Sequence, residues 1–318
     1  MTLLYLTILY VVLMLAEVVY MAIVRNRFHR LLSANTYGFN GRRSVTGGGF
    51  IFYPAIVSAA FASGLEEVAM VMVVGAAVLW IVSFIDDCHS LSVILRLIVQ
   101  GAVTAVAMWW LAPGNWCFFA YAFIMGMVVV NAFNFMDGIN GMLTMYSVVV
   151  LMSLLVVFLF LSTFTGSLYI LPAALLVAVL VLGVFNVVRM DEVLSGDVGS
   201  IVMGFSVAWL MAVAMTVTGD YTVPVLVAVY IVDVLMTICR RIIARENIFS
   251  SHQTHLYQRL SSAGVVRHHR VALGYCGTQL VINTAWLLIP VGVHDVFAVA
   301  VFVVLLIAYA YVSAKIAH

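Results

Sequence analysis

The stretch from Asn131 to Gly141 carries the densest group of residues in this sequence that could do chemistry. It reads Asn-Ala-Phe-Asn-Phe-Met-Asp-Gly-Ile-Asn-Gly and follows an apolar run, 116–130, that is nearly long enough to cross a membrane. Asn131, Asn134 and Asp137 are spaced i, i+3, i+6, so on a helix they would lie on one side. Ionisable groups at a membrane edge are costly and are by default functional. A polar helix end among the headgroups is the weaker alternative, because such ends normally carry Lys, Arg, Trp or Tyr.

Two adjacent carboxylates, Asp86 and Asp87, end another apolar run. Two like charges side by side repel each other unless a cation offsets them. A divalent metal is a natural partner, and general base is the alternative role for one of the two. A helix end with two solvated acids is a poorer explanation, since the helix dipole disfavours acids at a C-terminus.

The segment Ser195-Gly-Asp-Val-Gly-Ser200 opens a later apolar run and places Asp197 between glycines. Such an acid could cap the following helix or bind a metal, and glycine-flanked turns let a phosphate approach the backbone. Asn186 ends the preceding run and could hydrogen-bond a base or a phosphate. Neither pattern is specific by itself.

The largest polar loop runs from 240 to 270. Ser250, with a Gln three residues on, has the pattern of a capping box. The helix that it predicts would carry His252, His255 and Arg259 on one face, and that face would suit phosphate oxygens. A zinc site is the rival interpretation, but no third soft ligand is at hand.

Three further features allow two interpretations each. The run Gly47-Gly48-Gly49 could admit a phosphate or a lipid headgroup, or could simply be a flexible entry to the next span. Asp233, inside a span, could be a structural partner for a cation or part of the site. His268 and His269 favour a solvated or headgroup-binding edge.

Membrane helices must position these groups. The chain of 318 residues is 65% hydrophobic and only 8% charged, with a mean hydropathy of +1.19, and apolar runs of span length recur throughout. The sequence therefore predicts an all-α, polytopic membrane protein of about eleven transmembrane helices, forming one domain over 1–318. The first run continues to Val24 without a cleavage site and is interpreted as a retained span. The second predicted span, 49–63, is short and could be tilted or re-entrant.

The charges are distributed asymmetrically. All 14 Lys and Arg fall on one side of the predicted spans, with Arg96 just inside a span and within snorkelling reach of that surface. By the positive-inside rule this face is cytoplasmic, with the N-terminus outside and the C-terminus inside. The candidate acids lie on the same face, which is where we expect the active site. The four cysteines form no CxxC pair, so we expect neither a disulfide framework nor a thiolate metal site.

Acids, amides and cations on one membrane face suit phosphoryl transfer, in which a metal neutralises charge and cationic donors hold a diphosphate. A transporter or lipid flippase with a cytoplasmic polar gate is the alternative. It would carry ionisable groups at the midplane, where Glu17 and Asp233 are the only candidates in the sequence. A non-catalytic scaffold leaves the clustered acids unexplained, and no nucleic-acid partner is expected.

Four motifs, in this order, resemble the polyprenyl-phosphate N-acetylhexosamine-1-phosphate transferases. This is glycosyltransferase family 4, which is related to the phospho-N-acetylmuramoyl-pentapeptide transferases. The motifs are Asp86-Asp87, Asn131-x-x-Asn-Phe-Met-Asp-Gly-Ile-Asn-Gly141, Gly196-Asp-Val-Gly-Ser200 and His252-x-x-His-x-Tyr-Gln-Arg259. Four ordered motifs are far more specific than any one of them.

The resemblance implies transfer of the 1-phosphate of an N-acetylated hexosamine or deoxyhexosamine from a UDP-sugar to undecaprenyl phosphate, with release of UMP. It implies Mg²⁺, with Mn²⁺ as an alternative, and a place in the bacterial inner membrane. By motif, Asp197 would be a metal ligand and Asp86 the base for the lipid phosphate. Asp87 and Asp137 would complete the catalytic acids, with Asp137 also bound to the metal. Direct attack and a covalent carboxylate intermediate both remain open.

By the same motifs, the substrate-binding side chains would be Asn131, Asn134, Asn186, His252, His255 and Arg259. The chain departs from many relatives at Thr46, where they carry Arg, and at Asn140, where several carry Asp. These departures favour the start of O-antigen or capsule synthesis over peptidoglycan synthesis. A homodimer is compatible with the sequence.

Overall fold

The computed structural model describes residues 2–37, 43–64, 66–161, 166–189, 192–247, 253–262 and 268–316. Within these ranges, ten helices are long and apolar enough to cross a membrane. This confirms the predicted all-α, polytopic membrane protein. The second predicted span forms a shorter apolar helix, Gly48–Ser63, so the structure has ten helices of full span length where about eleven were predicted. The sidedness of the termini stays a prediction.

The α-helices of the described ranges follow one another along the chain with short links. In chain order they are α1 (Thr2–Arg27), α2 (Phe52–Ser63), α3 (Glu66–His89), α4 (Val93–Leu111), α5 (Trp116–Phe135), α6 (Met142–Phe160), α7 (Ile170–Gly183), α8 (Gly196–Thr218), α9 (Ala228–Ile243), α10 (Leu256–Ser262), α11 (His268–Leu288) and α12 (His294–Ile316). A short antiparallel pair, β1 (Leu32–Tyr37) with β2 (Arg43–Val45), follows α1 and is a small departure from the all-α prediction.

Helix α8 forms the centre of the bundle. It is apolar on every face, and a helix of this kind is buried rather than amphipathic. Its most apolar 18-residue stretch is 100% buried, whereas the corresponding stretch of the span that includes α12 is 6% buried. The most extensive contacts of α8 are with α3 and α5. The ends of α3, α5 and α8 carry the candidate acids, so this packing brings the acids together.

The glycine run after β2 lies against the start of α8. The amides of Gly48 and Gly49 donate to the carbonyls of Leu194 and Ser195, each at 2.9 Å. A Cβ on Gly49 would fall 2.1 Å from the Cα of Gly199, so only glycine permits this contact between two backbones. The run therefore supports the segment that carries Asp197 and is not a flexible entry to α2.

The backbone is broken just before α9, where Val227 has φ −132° and ψ 22°. Gln279 of α11 bonds to both sides of the break. Its Oε1 accepts from the amide of Val229 at 3.0 Å, and its Nε2 donates to the carbonyl of Val225 at 2.9 Å. Inside a membrane, freed backbone groups must find partners within the protein. Gln279 therefore stabilises the bend that sends α9 past the end of α5.

Candidate functional site

A cleft of about 300 Å³ lies where the ends of α3, α5 and α8 meet. Asp87, Asp137 and Asp197 line it, each from a different part of the chain. Asn134 and Ser195 line it between them. The structure thus brings three of the four sequence motifs to one place, and we call this cavity the acid cleft.

Asp87 caps the first turn of α8. Its Oδ1 accepts from the amide of Asp197 at 3.0 Å, and its Oδ2 accepts from the amide of Val198 at 3.1 Å. A carboxylate is stabilised at a helix N-terminus by the free amides and by the helix dipole. The sequence suggested Asp197 as a cap for this helix, but the cap comes from α3. Asp197 is thereby left to point into the acid cleft.

Arg96 of α4 bonds to one member of the adjacent pair Asp86 and Asp87, and also to Asp197. Its Nη1 lies 2.7 Å from Oδ2 of Asp86 and 2.7 Å from Oδ2 of Asp197. Asp86 also accepts from the amide of Leu91. The adjacent acids Asp86 and Asp87 therefore diverge, one to a cation and the other to a helix end. The repulsion expected from their sequence is relieved by these separate partners, and Arg96 does more than snorkel.

The polar ladder at the end of α5 is shorter than predicted. Asn134 donates from Nδ2 to Oδ1 of Asp197 at 3.0 Å and to Oγ of Ser200 at 3.1 Å. Asn131 donates to the carbonyl of Met127, one turn back, at 2.8 Å. Asp137 lies beyond the end of the helix at Phe135, in the turn before α6. The single helical face therefore holds only the two amides.

Asp137 is buried in the wall of the acid cleft, where it accepts a hydrogen bond from the hydroxyl of Ser195. Burial raises the pKa of Asp137 well above its usual value, and the charges of Asp197 and Asp87 raise this pKa further, whereas the Ser195 hydroxyl lowers it. A carboxylate in such a place is ionised most readily when a cation binds beside it. Asp137 is thus suited to a ligand that brings positive charge.

Asn186 joins two segments of the protein. Its Oδ1 accepts from the amide of Gly141 and from the hydroxyl of Thr144, both at 3.1 Å, and its Nδ2 donates to the carbonyl of Val193 at 3.0 Å. Asn186 also lines the acid cleft. Its polar atoms are engaged within the chain, and contact with uridine stays a prediction.

His255 and Arg259, the two described residues of the polar face predicted for the 240–270 loop, do not line the acid cleft. His252 and Ser250 lie outside the described residues. His255 is 2% exposed, with Nδ1 3.4 Å from Oδ1 of Asp233. Arg259 donates to Oγ of Ser313 at 2.6 Å and to its carbonyl at 3.1 Å. The structure therefore directs His255 and Arg259 toward neighbouring helices.

A shifted helix start explains this difference. Helix α10 begins at Leu256, later than the capping pattern at Ser250 predicted. The reciprocal half of a capping box is still present, because Oε1 of Gln258 accepts from the amide of His255 at 3.2 Å. The first amides of α10 are bonded to Asp233 of α9, a contact that local sequence patterns do not reveal.

Two cleft residues were missed or undervalued from the sequence. His268, the first residue of α11, lines the acid cleft, although its neighbours favoured a headgroup-binding edge. Asn140 lines it as well, and its buried Oδ1 has no hydrogen-bond partner among the residues that the structure describes. The only earlier indication for Asn140 was its place in the motif around Asp137.

A second cavity of about 290 Å³ adjoins the first, between α4, α5 and α9. Apolar side chains form most of its wall, including Val93, Leu97, Val128, Val234, Leu235 and Ile238. Arg96, Asn131 and Asn134 also line it. We call this cavity the apolar groove. Since Arg96 and Asn134 both bond to Asp197, the groove and the acid cleft meet at these side chains.

Residues 69–215 match the family model described as glycosyl transferase family 4. The matched region includes Asp86, Asp87, Asn134, Asp137 and Asp197, which form or adjoin the acid cleft. Over these residues the chain is similar to glycosyl transferase family 4. This confirms the resemblance drawn from the four motifs.

Curated proteins are similar to this chain over part of their length. A probable undecaprenyl-phosphate N-acetylglucosaminyl 1-phosphate transferase of Bacillus subtilis (strain 168) is 25% identical over 249 residues, which are 71% of this chain and 67% of that protein. The undecaprenyl-phosphate alpha-N-acetylglucosaminyl 1-phosphate transferases of Escherichia coli (strain K12) and Shigella flexneri are each 25% identical over 213 residues. These residues are 59% of this chain and only 57% of each of those two relatives.

The acids of the cleft fit a hard divalent cation that arrives with a phosphate. In the part of the chain that the structure describes, no three His, Cys, Asp or Glu side chains converge as a preformed metal cage. Mg²⁺ is commonly held by one or two carboxylates, with water and substrate phosphates as its other ligands. Asp137 and Asp197 present carboxylates to the same cleft and meet that requirement.

Proposed function

We propose that this protein belongs to glycosyl transferase family 4, transfers a sugar-1-phosphate from a UDP-linked N-acetylated amino sugar to undecaprenyl phosphate and releases UMP. The observation that carries the proposal is the meeting of an apolar groove and an acid-lined cleft at Arg96 and Asn134. A lipid phosphate and a charged nucleotide donor need two such unlike cavities side by side. The names of the relatives describe the same class of reaction.

The acceptor would lie in the apolar groove. A polyprenyl chain along Val234, Leu235 and Ile238 would bring its phosphate to the polar end of the groove, beside Arg96. A guanidinium is a strong partner for phosphate oxygens. Asp86 is bonded to that guanidinium at 2.7 Å and would accept a proton from the arriving phosphate. We assign Asp86 the role of general base on this ground.

The donor diphosphate would lie in the acid cleft. Asp137 and Asp197 would hold Mg²⁺ there, while Asp87 fixes the backbone of Asp197 and Asn134 orients its carboxylate. When Mg²⁺ is bound, charge that develops on the diphosphate is neutralised. An oxygen of the lipid phosphate then attacks the β-phosphorus, and the bond from that phosphorus to the oxygen bridging to the α-phosphate breaks. UMP leaves with the bridging oxygen.

Sugar selectivity would reside in residues of the cleft other than the acids. Asn140 offers a buried amide oxygen, and His268 also lines the cleft. A buried acceptor matched to a hydroxyl or N-acetyl group discriminates strongly against a sugar that lacks it. We therefore propose that these two side chains contact the hexose. We further propose that the reaction takes place on the cytoplasmic face of the bacterial inner membrane and starts O-antigen or capsule synthesis.

The proposal is tested with purified protein, undecaprenyl phosphate, Mg²⁺ and a panel of UDP-sugars, with UMP release as the readout. Release should need both substrates, stop with a chelator and return with added Mg²⁺. A chain that releases no UMP with any donor would contradict the proposal. The transporter alternative needs Glu17 and Asp233 as ionisable groups at the midplane. Asp233 does not serve this role well, because it accepts four hydrogen bonds within the protein.

A further inference from the structure

Asp233 of α9 is a buried carboxylate that joins several elements. It accepts from the amides of Leu256 at 3.0 Å and Tyr257 at 3.3 Å, at the start of α10. It also accepts from the hydroxyl of Tyr275 on α11 at 2.6 Å and from Thr237 on its own helix at 3.1 Å. A buried charge is tolerated when donors of this kind surround it. Asp233 therefore holds the start of α10 against α9, and Arg240 of α9 also donates to the carbonyl of Thr254 just before α10.

The residue held in this way, Tyr257, reaches the turn beside the acid cleft. Tyr257 is fully buried, and its hydroxyl donates to the carbonyl of Phe135 at 2.8 Å. Phe135 ends α5, two residues before Asp137. A Cβ on Gly138 would fall 2.2 Å from the hydroxyl oxygen of Tyr257, so the turn lies directly on the tyrosine. Tyr257 thus contacts the backbone on both sides of Asp137.

Backbone hydrogen bonds also restrain the first half of this turn, where the amide of Met136 bonds to the carbonyl of Ala132 at 3.0 Å. The amide of Asp137 bonds to the carbonyl of Asn134 at a long 3.4 Å. Its carboxylate bonds to Ser195. Removing the Tyr257 hydroxyl would take away its 2.8 Å hydrogen bond to the carbonyl of Phe135. The position of Asp137 should therefore respond to Tyr257.

Helix α9 also touches the apolar groove. The residue that follows Asp233 is Val234, which lines the groove with Leu235 and Ile238. One turn of α9 therefore faces the groove on one side and holds α10 on the other. Asp233 and Val234 therefore link the apolar groove to the start of α10, which contacts the turn that carries Asp137.

We propose that Asp233 and Tyr257 are positioning residues. Docking of residues 255–257 on Asp233 sets the turn 135–138 and so places Asp137 for the divalent cation. The inference rests on the proposed function in one respect, the assignment of Asp137 as a metal ligand. It assigns no contact with substrate to either residue.

The first test uses Tyr257→Phe, which removes one hydroxyl and keeps the ring. Hydrogen exchange in peptides covering 131–141 should become faster. The Mn²⁺ concentration at half saturation, followed by electron paramagnetic resonance, should rise about threefold to tenfold, as expected for a lost buried hydrogen bond. Tyr121→Phe is the matched control, since Tyr121 lies on the same helix as Phe135 and its hydroxyl donates to a carbonyl, that of Tyr221, at 2.8 Å. The control should change neither quantity.

The second test uses Asp233→Asn alone and with Tyr257→Phe. The single variant should weaken Mn²⁺ binding in the same direction, and the double variant should be no weaker than the more affected single variant, because both residues act through one turn. Unchanged exchange in Tyr257→Phe would overturn the proposal. Faster exchange with an unchanged Mn²⁺ midpoint would make the contact merely structural and would also overturn it.

The two proposals fail in different ways. Absence of UMP release from the unmodified protein would contradict the transferase. The exchange and Mn²⁺ measurements need no turnover and would still decide the role of Tyr257. An unmodified protein without a Mn²⁺ midpoint would overturn the inference, because Asp137 would then not be a metal ligand.

Discussion

Oδ2 of Asp197 lies 2.7 Å from Nη1 of Arg96, so the acid assigned to the metal is held by a cation that also lines the apolar groove. This contact gives Arg96 two functions in the proposed reaction. It orients a metal ligand before substrates arrive, and it offers a guanidinium to the acceptor phosphate.

Arg96→Gln should therefore reduce kcat/KM for undecaprenyl phosphate by about 10- to 100-fold, the range expected for a lost charged hydrogen bond. Arg96→Lys should retain part of the activity, since Lys keeps the charge but not the planar donor geometry. UMP release against acceptor concentration measures both effects. Arg189→Gln is the control, because Arg189 pairs with Glu192 outside the two cavities. An unchanged acceptor KM in Arg96→Gln would remove Arg96 from the phosphate site.

Substitutions of Asp87 and Asp197 should differ in their effects on stability and on transfer activity. Asp87 receives two backbone amides at the start of α8, and Asn offers only one oxygen to them. We expect Asp87→Asn to lower the free energy of unfolding by about 1 kcal/mol, as for a weakened cap. Asp197→Asn keeps those amides capped but loses the ion pair with Arg96, so it should still fold, with a somewhat lower thermal unfolding temperature, while transfer is abolished. Thermal unfolding in detergent and UMP release distinguish the two; full activity of Asp197→Asn would exclude it from the site.

Asn140 tests how the donor is recognised. Asn140→Ala removes the buried amide oxygen, so the KM for the UDP-sugar should rise about threefold to tenfold, as for one lost hydrogen bond. The KM for undecaprenyl phosphate should not change, because Asn140 does not line the apolar groove. Initial rates against each substrate give both constants. Equal increases in the two constants would indicate a general disturbance of the cleft and not loss of a sugar contact.

At the end of the bundle opposite the acid cleft, Asp220 should make the stability of the protein depend on pH. Burial raises the pKa of Asp220, but hydrogen bonds from Thr222 and His294 outweigh it and hold the pKa below its usual value. A lowered folded-state pKa gives stability that is present above the unfolded-state value of about 3.9 and is lost as the pH falls toward the folded-state value.

Asp220→Asn should therefore lower the thermal unfolding temperature at pH 7, and the difference from the unmodified protein should be smaller at about pH 3, below the unfolded-state pKa of the carboxyl. Transfer at pH 7 should be unaffected, since Asp220 lies far from the acid cleft in the link before α9. Equal differences at both pH values would show that the carboxylate charge contributes nothing to stability.

The predicted sidedness can be measured by cysteine labelling in intact cells, after replacement of the four native cysteines. A cysteine at exposed Arg245 should resist a membrane-impermeant reagent, because the cations of that loop predict a cytoplasmic position. A cysteine at Val291, 70% exposed in the link before α12, should react. The reverse pattern would invert the predicted topology.

The sequence allowed the membrane helices to be predicted because their hydropathy is local, and the acids of the cleft because their motifs are short. It did not reveal that Asp87 caps α8 or that Asp233 caps α10, since each contact joins residues more than 20 positions apart. The predicted face of His255 and Arg259 differs from the structure for the same reason. A distant acid, and not the local Ser250 pattern, determines where α10 begins.

The central position of α8 has a consequence for how the protein is made. The helices that contact α8 most extensively, α3 and α5, precede it in the chain. When α8 enters the membrane during synthesis, both are already present, and the three acids of the cleft can assemble at that stage. Tyr257 is synthesised later. In the nascent chain, the three acids can therefore come together before Tyr257 is available to position Asp137. The acid cleft would reach its final shape only after α10 has been synthesised.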